Sequence, residues 1–183
     1  IGDPLKRGPS DAGPAQIAII HGGMATMNSA TQVVMFSSKS GEWSTPQDFF
    51  DKLNWRFGPF DLDPCANAVN TKCTAFFSED DDGLQKDWGG CTAFVNPPYG
   101  RGIDKWIAKG YKESLKENTK VVMLIPARTD TKYWHKYVML ASELYFVKGR
   151  LKFGDSQNSA PFPSAVVVFD GSNKQQVFGA MNR

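Results

Sequence analysis

The sequence predicts an α/β fold with a mostly parallel sheet and an antiparallel hairpin at one edge. From Trp43 onward, segments with the periodicity of strands alternate with segments of helical periodicity, which is typical of such a sheet. Val121–Ile125 is a continuous apolar run, as expected for a central parallel strand covered on both faces. The last two strand-like segments are joined by a loop without a helix, so we expect them to pair antiparallel.

The first predicted helix covers Gln47–Phe57, where apolar residues recur with helical spacing. Thr45 is its predicted N-cap, Pro46 suits its first position, and Gly58-Pro59 ends it. Between this helix and the catalytic segment described below we predict four short pieces: strands over 60–63 and 74–77, an acidic turn over 80–83, and a helical or irregular piece over 84–88.

Proline and hydrophobic periodicity divide the rest of the chain. Residues 103–116 form an amphipathic helical pattern, and Pro126 ends the apolar strand over 120–125. The remaining predicted strands cover 91–95, 144–147 and 164–169, and a helix is predicted over 133–140. The segment over 149–153 extends or follows the strand over 144–147, and a polar loop covers 155–163.

Composition places the chain among soluble globular proteins of one domain. It has 183 residues, of which 41% are hydrophobic and 22% charged. A net charge of +2 is low for a protein that coats DNA, but it allows a local basic patch. Three Cys without CxxC spacing and two His predict no disulfide framework and no metal site, which suits a reducing cytoplasm. No apolar run is long enough to span a membrane.

Residues 1–35 differ from the remainder because Gly and Pro recur there without any sustained period. We predict a flexible leader that takes no part in chemistry. Two origins suit it: a segment added by the expression vector, or translation from upstream of a start at Met24 or Met27. The alternative is a segment that a neighbouring chain orders. Residues 36–183 are then a single catalytic domain.

The segment Phe94–Tyr99 combines a buried strand with Asn96, Pro97 and Pro98. The two prolines make the turn rigid, and it lies at the carboxyl end of a strand, where open α/β sheets bind ligands. The side-chain oxygen of Asn96 and the carbonyl of Pro97 are two acceptors for the hydrogens of a planar amine. Such acceptors make the amine more nucleophilic, and Tyr99 is placed to stack on a base taken out of its duplex.

Several motifs in this order resemble the phage-type DNA N-6-adenine methyltransferases, the Dam family. The resemblance covers about Trp43 to Phe169. The motifs that carry it are Trp43–Pro46, Asp61–Ala66, Asp82–Leu84 with Trp88, Asn96–Gly100, Leu124–Thr131 and Gly149–Phe153.

The resemblance implies a Rossmann-like class I fold, S-adenosylmethionine as cofactor, and site-specific methylation of a flipped-out adenine in double-stranded DNA. It also implies a role in marking phage or host DNA against restriction, in a bacterial or phage-infected cell. The residues implied to hold the adenine are Asn96, Pro97, Pro98 and Tyr99. The residues implied to hold the cofactor are Trp43, Ser44, Thr45, Pro46, Asp63, Pro64, Cys65, Ala66 and Asp82.

The acidic residue that binds the cofactor is open between candidates. Asp63 suits the cofactor ammonium or ribose, with Asp61 as the fallback, although an Asp before Pro also forms ordinary turns. The glycine-rich turn of many class I methyltransferases is missing after this strand, and about 30 residues separate Ala66 from Asn96. The first crossover must therefore be short. The candidates for the ribose are Glu79, Asp80, Asp81 and Asp82, and we favour Asp82 near the cofactor adenine.

Basic residues that follow predicted strand ends are candidates to contact DNA phosphates. They are Arg101, Arg128, Lys132, Arg150 and Lys152. Two other functions remain open at this point. One is methylation of another amine, such as cytosine N4 or an RNA base. The other is a DNA-binding module without catalytic activity.

Overall fold

The fold is described from a computed structural model, which covers residues 43–154, 156, 158–173 and 175–183. The predicted leader over 1–35 lies outside the described residues, as do residues 36–42 of the predicted catalytic domain. The helices are α1 (Gln47–Phe57), α2 (Ile103–Glu113) and α3 (Lys132–Lys136), followed by a 3₁₀ turn (Val138–Leu140). The strands are β1 (Leu62–Asp63), β2 (Ala75–Phe76), β3 (Thr92–Val95), β4 (Lys120–Pro126), β5 (Glu143–Lys148), β6 (Ser164–Asp170) and β7 (Val177–Asn182).

The strands form one seven-stranded sheet in the order β2-β1-β3-β4-β6-β5-β7. β6 runs antiparallel to both neighbours, and the other pairs of described strands are parallel. The predicted antiparallel pairing of the last two strand-like segments is therefore present as β5–β6. Its predicted place at the edge is wrong, because β7 pairs in parallel with β5 and lies outside it.

Side chains of β4 point alternately to two hydrophobic cores, one on each face of the sheet. Val121, Met123 and Ile125 pack with α2 and α3 on one face. Val122 and Leu124 pack with α1 on the other. All five are fully buried. The central strand is thus covered on both faces, as its continuous apolar sequence predicts, and the ends of β3 and β4 are held rigidly.

Two helix predictions are wrong in detail. Pro46, rather than Thr45, occupies the cap position of α1 (φ −56°, ψ 139°), and no side chain caps the helix. The helix predicted over 133–140 breaks at Tyr137, whose φ of −125° and ψ of −49° are not helical. The sequence does not reveal this break, because Tyr133, Trp134 and Val138 keep helical spacing across it. The longest helices in the described ranges, α1 and α2, have 11 residues each, whereas a membrane span needs about 20.

The piece over 84–88 is irregular, and the fully buried Trp88 fixes it. The indole N–H of Trp88 donates to the carbonyl of Gly83 (2.9 Å), and its main-chain N–H donates to Glu113 of α2 (2.8 Å). Glu113 is only 4% exposed and also pairs with Lys109 and Lys116 (both 2.7 Å). Burial alone would raise the pKa of Glu113, but these partners lower it below its ordinary value.

We predict that Glu113→Ala lowers the free energy of unfolding by about 2–3 kcal/mol. The change leaves the Lys109 ammonium and the buried N–H of Trp88 without their acceptor, whereas Lys116 keeps its ion pair with Asp87 (2.6 Å). Glu117→Ala is the matched control, since Glu117 is exposed. Urea denaturation at pH 7 measures both. As the pKa of Glu113 is lowered in the fold, the loss should shrink as the pH falls and the parent's carboxylate is protonated. Equal small losses for both variants would contradict the prediction.

Candidate active site

A cleft of about 420 Å³ opens where the chain leaves β1 and β3. Its wall after β1 is the turn Asp63–Ala66, and its wall after β3 is Asn96–Pro98. The segment before α1 and the acidic turn before Trp88 complete it. The predicted residues that line it are Trp43, Ser44, Thr45, Asp63, Pro64, Cys65, Ala66, Asp82, Asn96, Pro97 and Pro98. Of the residues implied to hold the adenine and the cofactor, two do not line it: Pro46, which is the cap residue of α1, and Tyr99. The alternative candidates Asp61, Asp80 and Asp81 do not line it either.

Asp63, rather than the fallback Asp61, faces the cleft. Its carboxylate is 4% exposed and accepts hydrogen bonds from the main-chain N–H groups of Lys72 (3.3 Å) and Cys65. Burial raises the pKa of Asp63 from 3.8 to about 6, and these N–H groups and the Lys72 charge only partly oppose the rise. Asp61 is exposed and accepts instead from the N–H of Thr92 (2.9 Å), which joins β1 to β3. The cleft therefore contains one buried carboxylate, whose ionised form is destabilised by its burial.

The acidic turn contributes Glu79 and Asp82 to the cleft. Asp81 is used elsewhere, because its carboxylate accepts from both the N–H and the hydroxyl of Ser78 (2.8 and 2.6 Å). The turn lies directly on the exit of β1: a Cβ on Gly83 would sit 1.9 Å from the carbonyl oxygen of Pro64. Glycine is thus required where the acidic turn meets Pro64. This close contact brings the carboxylates of Glu79 and Asp82 to the same cleft as Asp63.

Asn96 presents an unused acceptor. Its side-chain N–H donates to the main-chain carbonyl of Trp43. Its side-chain oxygen is buried and has no hydrogen-bond partner among the described residues. Pro97 is buried next to it, and no described residue donates a hydrogen bond to the carbonyl of Pro97. Two oxygens at the end of β3 are therefore acceptors without a donor in the described part of the chain.

Four rings form what we call the aromatic cluster: Trp43, Tyr99, Phe153 and Phe162. Trp43 and Tyr99 are stacked with centroids 6.5 Å apart, and Phe162 meets both edge-on at 5.4 and 5.3 Å. The Tyr99 hydroxyl donates to the carbonyl of Leu124 (3.2 Å), and burial raises its pKa well above the ordinary value. Tyr99 is therefore a neutral, anchored ring behind the turn, and its predicted stacking on a base stays a prediction.

The cleft residues suit a ligand that has both a cationic group and a flat ring. Asp63, Glu79 and Asp82 offer carboxylates, and Trp106 offers a flat apolar surface that stacks on Trp88 (6.1 Å). The Thr45 hydroxyl is buried without a partner in the described part of the chain. These features fit the ammonium, ribose and adenine of S-adenosylmethionine. No group of three or more His, Cys, Asp or Glu that could hold a metal ion occurs among the described residues.

The predicted DNA contacts lie outside the cleft on one edge of the sheet. Arg101 follows β3, Arg128 and Lys132 follow β4, and Arg150 and Lys152 follow β5; all are exposed. Since β3, β4 and β5 run in the same direction, their carboxyl ends share this edge. Contact of these side chains with DNA stays a prediction.

Several lining residues were not predicted. They are Asn67, Asn70, Lys72, Ser78, Gly83, Phe94 and Trp106. Asn67 and Asn70 follow a strand end, and this position could have identified them. Trp106 fits the apolar face of α2 and so gave no separate signal. Phe162 lies in a loop that joins β5 to β6, far in sequence from the rest of the aromatic cluster.

Comparison with known proteins gives a consistent result. The family model described as DNA N-6-adenine-methyltransferase (Dam) matches residues 32–178. The DNA N-6-adenine-methyltransferase of Haemophilus phage HP1 (strain HP1c1) is 30% identical over 135 residues, which cover 70% of this chain and 78% of that protein. The DNA N-6-adenine-methyltransferase of Escherichia phage T1 is 32% identical over 110 residues, 60% of this chain. The chain spans 45% of the T1 protein.

We predict that Asp63→Asn stabilises the ligand-free protein at pH 8. An acid whose pKa is raised to about 6 destabilises the fold increasingly as the pH rises from about 4 to 6, and by up to about 3 kcal/mol above that range. Urea denaturation from pH 4 to 8 measures the difference between variant and parent, which should vanish at the acid end. Asp61→Asn is the control and should give no such gain. A difference that does not depend on pH would contradict the prediction.

Proposed function

The chain belongs to the DNA N-6-adenine-methyltransferase (Dam) family, as its motifs predicted, and from this premise we propose that it methylates the 6-amino group of adenine in double-stranded DNA. The observation that carries the proposal is the buried, unpartnered side-chain oxygen of Asn96 beside the Pro97 carbonyl at the rim of the cleft. The sheet order, with a reversed β6 between β4 and β5, supports assignment to the Rossmann-like class I methyltransferases.

The cofactor site is proposed in the cleft. S-adenosylmethionine, when bound, supplies an electrophilic methyl group. Asp63 would hold its ammonium, and Glu79 and Asp82 would approach its ribose and adenine, with Trp106 beside them. A cationic ligand also stabilises the ionised form of Asp63, so it offsets the free-energy cost of burying this carboxylate.

The two acceptor oxygens after β3, those of Asn96 and Pro97, are the groups of this chain that act on the target amine. The lone pair of the adenine amine is delocalised into the ring, and hydrogen bonds from both amine hydrogens to Asn96 and Pro97 draw it back toward nitrogen. As the new bond forms, positive charge develops on the amine, and the same two oxygens stabilise it. They are fixed before the reaction by the buried end of β3 and by the rigidity of Pro97-Pro98, so little reorganisation is needed.

The target adenine must leave the duplex to reach these oxygens. We propose that Tyr99, with its hydroxyl anchored on β4, provides the surface on which the extruded base stacks. Arg101, Arg128, Lys132, Arg150 and Lys152 would contact phosphates at the same edge of the sheet. The acceptor pair alone serves the amine of cytosine equally well. Membership of the family selects adenine, in the DNA of a phage or its bacterial host.

We predict that Asn96→Ala lowers the methylation rate constant by at least about 100-fold, since it removes one of two preorganised acceptors. The dissociation constant for S-adenosylmethionine should change little. The assay follows N6-methyladenine in duplex DNA by mass spectrometry of nucleosides, and calorimetry measures cofactor binding. Asn182→Ala, an exposed change in β7, is the control. Normal turnover by Asn96→Ala would remove Asn96 from catalysis, and a parent that binds no cofactor would favour an inert module.

We predict that Arg128→Ala weakens DNA binding and reduces the slope of log K against log salt by about 1, because one phosphate contact is lost. Lys112→Ala makes the same charge change at the far end of α2, and it should leave the slope unaltered. Fluorescence anisotropy with labelled duplex from 50 to 200 mM salt (roughly the range over which such contacts weaken) measures both. Identical slopes would exclude Arg128 from the DNA interface.

A further inference from the structure

We propose that the main-chain carbonyl of Trp43 is a positioning group for the reaction, and that it requires an amide rather than a carboxylate at residue 96. This inference rests on the proposed role of Asn96 in methyl transfer. It goes beyond that role, because it names the group that decides which atom of Asn96 faces the substrate.

The chemistry of the carbonyl fixes the orientation of the Asn96 amide. A carbonyl oxygen only accepts hydrogen bonds, so the NH₂ group of Asn96 must face Trp43. The amide oxygen then points away, and it is this oxygen that is buried without a partner among the described residues. If the amide were reversed, two oxygens would face each other, and the NH₂ group would meet the hydrogens of the target amine. Trp43 therefore selects the productive one of two orientations.

The Trp43 carbonyl is itself held in place from several sides. The next carbonyl along the chain, that of Ser44, accepts a hydrogen bond from Gly154 (2.8 Å). The Trp43 indole packs edge-on against Phe153 (5.6 Å) and Phe162 (5.4 Å). The segment before α1 is thus fastened to the loop between β5 and β6, and its carbonyl can act as a fixed reference for the catalytic turn.

The turn that leaves β1 lies against Asn96 on the opposite side. Its main-chain N–H lies against the thiol of Cys65, in the turn that leaves β1. Burial raises the pKa of the Cys65 thiol well above its ordinary value, so the thiol stays neutral. Residue 96 therefore has the β1 turn against its backbone, and its side chain is held by the hydrogen bond to Trp43. Neither contact uses the oxygen that the reaction needs.

An aspartate at this position distinguishes two explanations. A carboxylate has the size of the amide and is the stronger acceptor, so it would serve the target amine at least as well. It has no N–H, however, and would place an anionic oxygen against the Trp43 carbonyl in a buried site. If the acceptor alone matters, the carboxylate is tolerated. If the Trp43 carbonyl positions the side chain, an aspartate at residue 96 is tolerated only in its protonated form, which can donate to that carbonyl.

The variant Asn96→Asp tests this effect because it exchanges the amide for a carboxyl of the same size and leaves every other side chain in place. The titratable groups on the elements around residue 96 are Asp63, Cys65, Lys72, Glu79, Asp82, Tyr99 and Lys152. All are present in both parent and variant, but Asp63, whose pKa is about 6, titrates in the same range and couples to a carboxyl at residue 96. The comparison is therefore repeated in an Asp63→Asn background, in which the pH dependence of the difference reports residue 96.

The first experiment compares the parent, Asn96→Asp and Asn96→Ala in duplex methylation from mildly acid to mildly alkaline pH. At pH 8 we expect Asn96→Asp to lose about 100-fold in kcat, comparable to loss of one preorganised group. Its kcat relative to the parent should rise as the pH falls, whereas the ratio for Asn96→Ala should stay flat. Retention of half or more of the parent kcat by Asn96→Asp at pH 8 would overturn the proposal.

The second experiment needs no catalysis and separates failure of the proposal from failure of the proposed function. Thermal unfolding of Asn96→Asp and the parent is followed across the same pH range. A buried carboxyl that faces a carbonyl has a raised pKa, so the variant should be less stable at pH 8 and approach the parent as the pH falls. A deficit that does not change with pH, or no deficit, overturns the positioning claim. A parent without methylation overturns only the function.

Discussion

The contact between the Asn96 amide and the Trp43 carbonyl is the interaction on which the account of this site depends. It satisfies the donor of Asn96 and leaves its acceptor buried and unused. Leaving such an acceptor unpaired costs about 1–3 kcal/mol in a folded protein. The fold sustains this cost because β3 and β4 are buried on both faces, so the turn after β3 cannot relax to find another donor.

Asp63, on the other side of the cleft, is a second polar group whose burial costs free energy. Its burial is unfavourable in the ligand-free protein, which is why its pKa is raised to about 6. Unlike Asp63, the Thr45 hydroxyl and the Asn96 oxygen are buried in the cleft without a partner in the described ranges. Unsatisfied polar groups that converge on one cavity indicate preorganisation for a ligand, since a ligand is the partner that would complete them. These residues thus lower the stability of the ligand-free protein while they serve the proposed function.

The sequence predicts the lining of the cleft better than the elements around it. The proline turn at the end of β3 and the acid at the end of β1 follow from local chemistry, and both line the cleft. β7 was missed because its residues are mostly exposed, and no clear strand period identifies them. The positioning contact of Trp43 and the place of Phe162 depend on loops that meet only in the folded chain. Thr45 has a capping sequence, but Pro46 takes the cap position.

The most direct test of the central claim is a crystal structure of the protein with S-adenosylhomocysteine, the product expected from the proposed reaction. We expect the amino acid end of the product to lie at Asp63 and its adenine to lie near Asp82 and Trp106. We also expect the thioether sulfur to face the free oxygen of Asn96, whose amide still donates to Trp43. A product bound away from this cleft, or an Asn96 amide turned from Trp43 in the complex, would contradict the account.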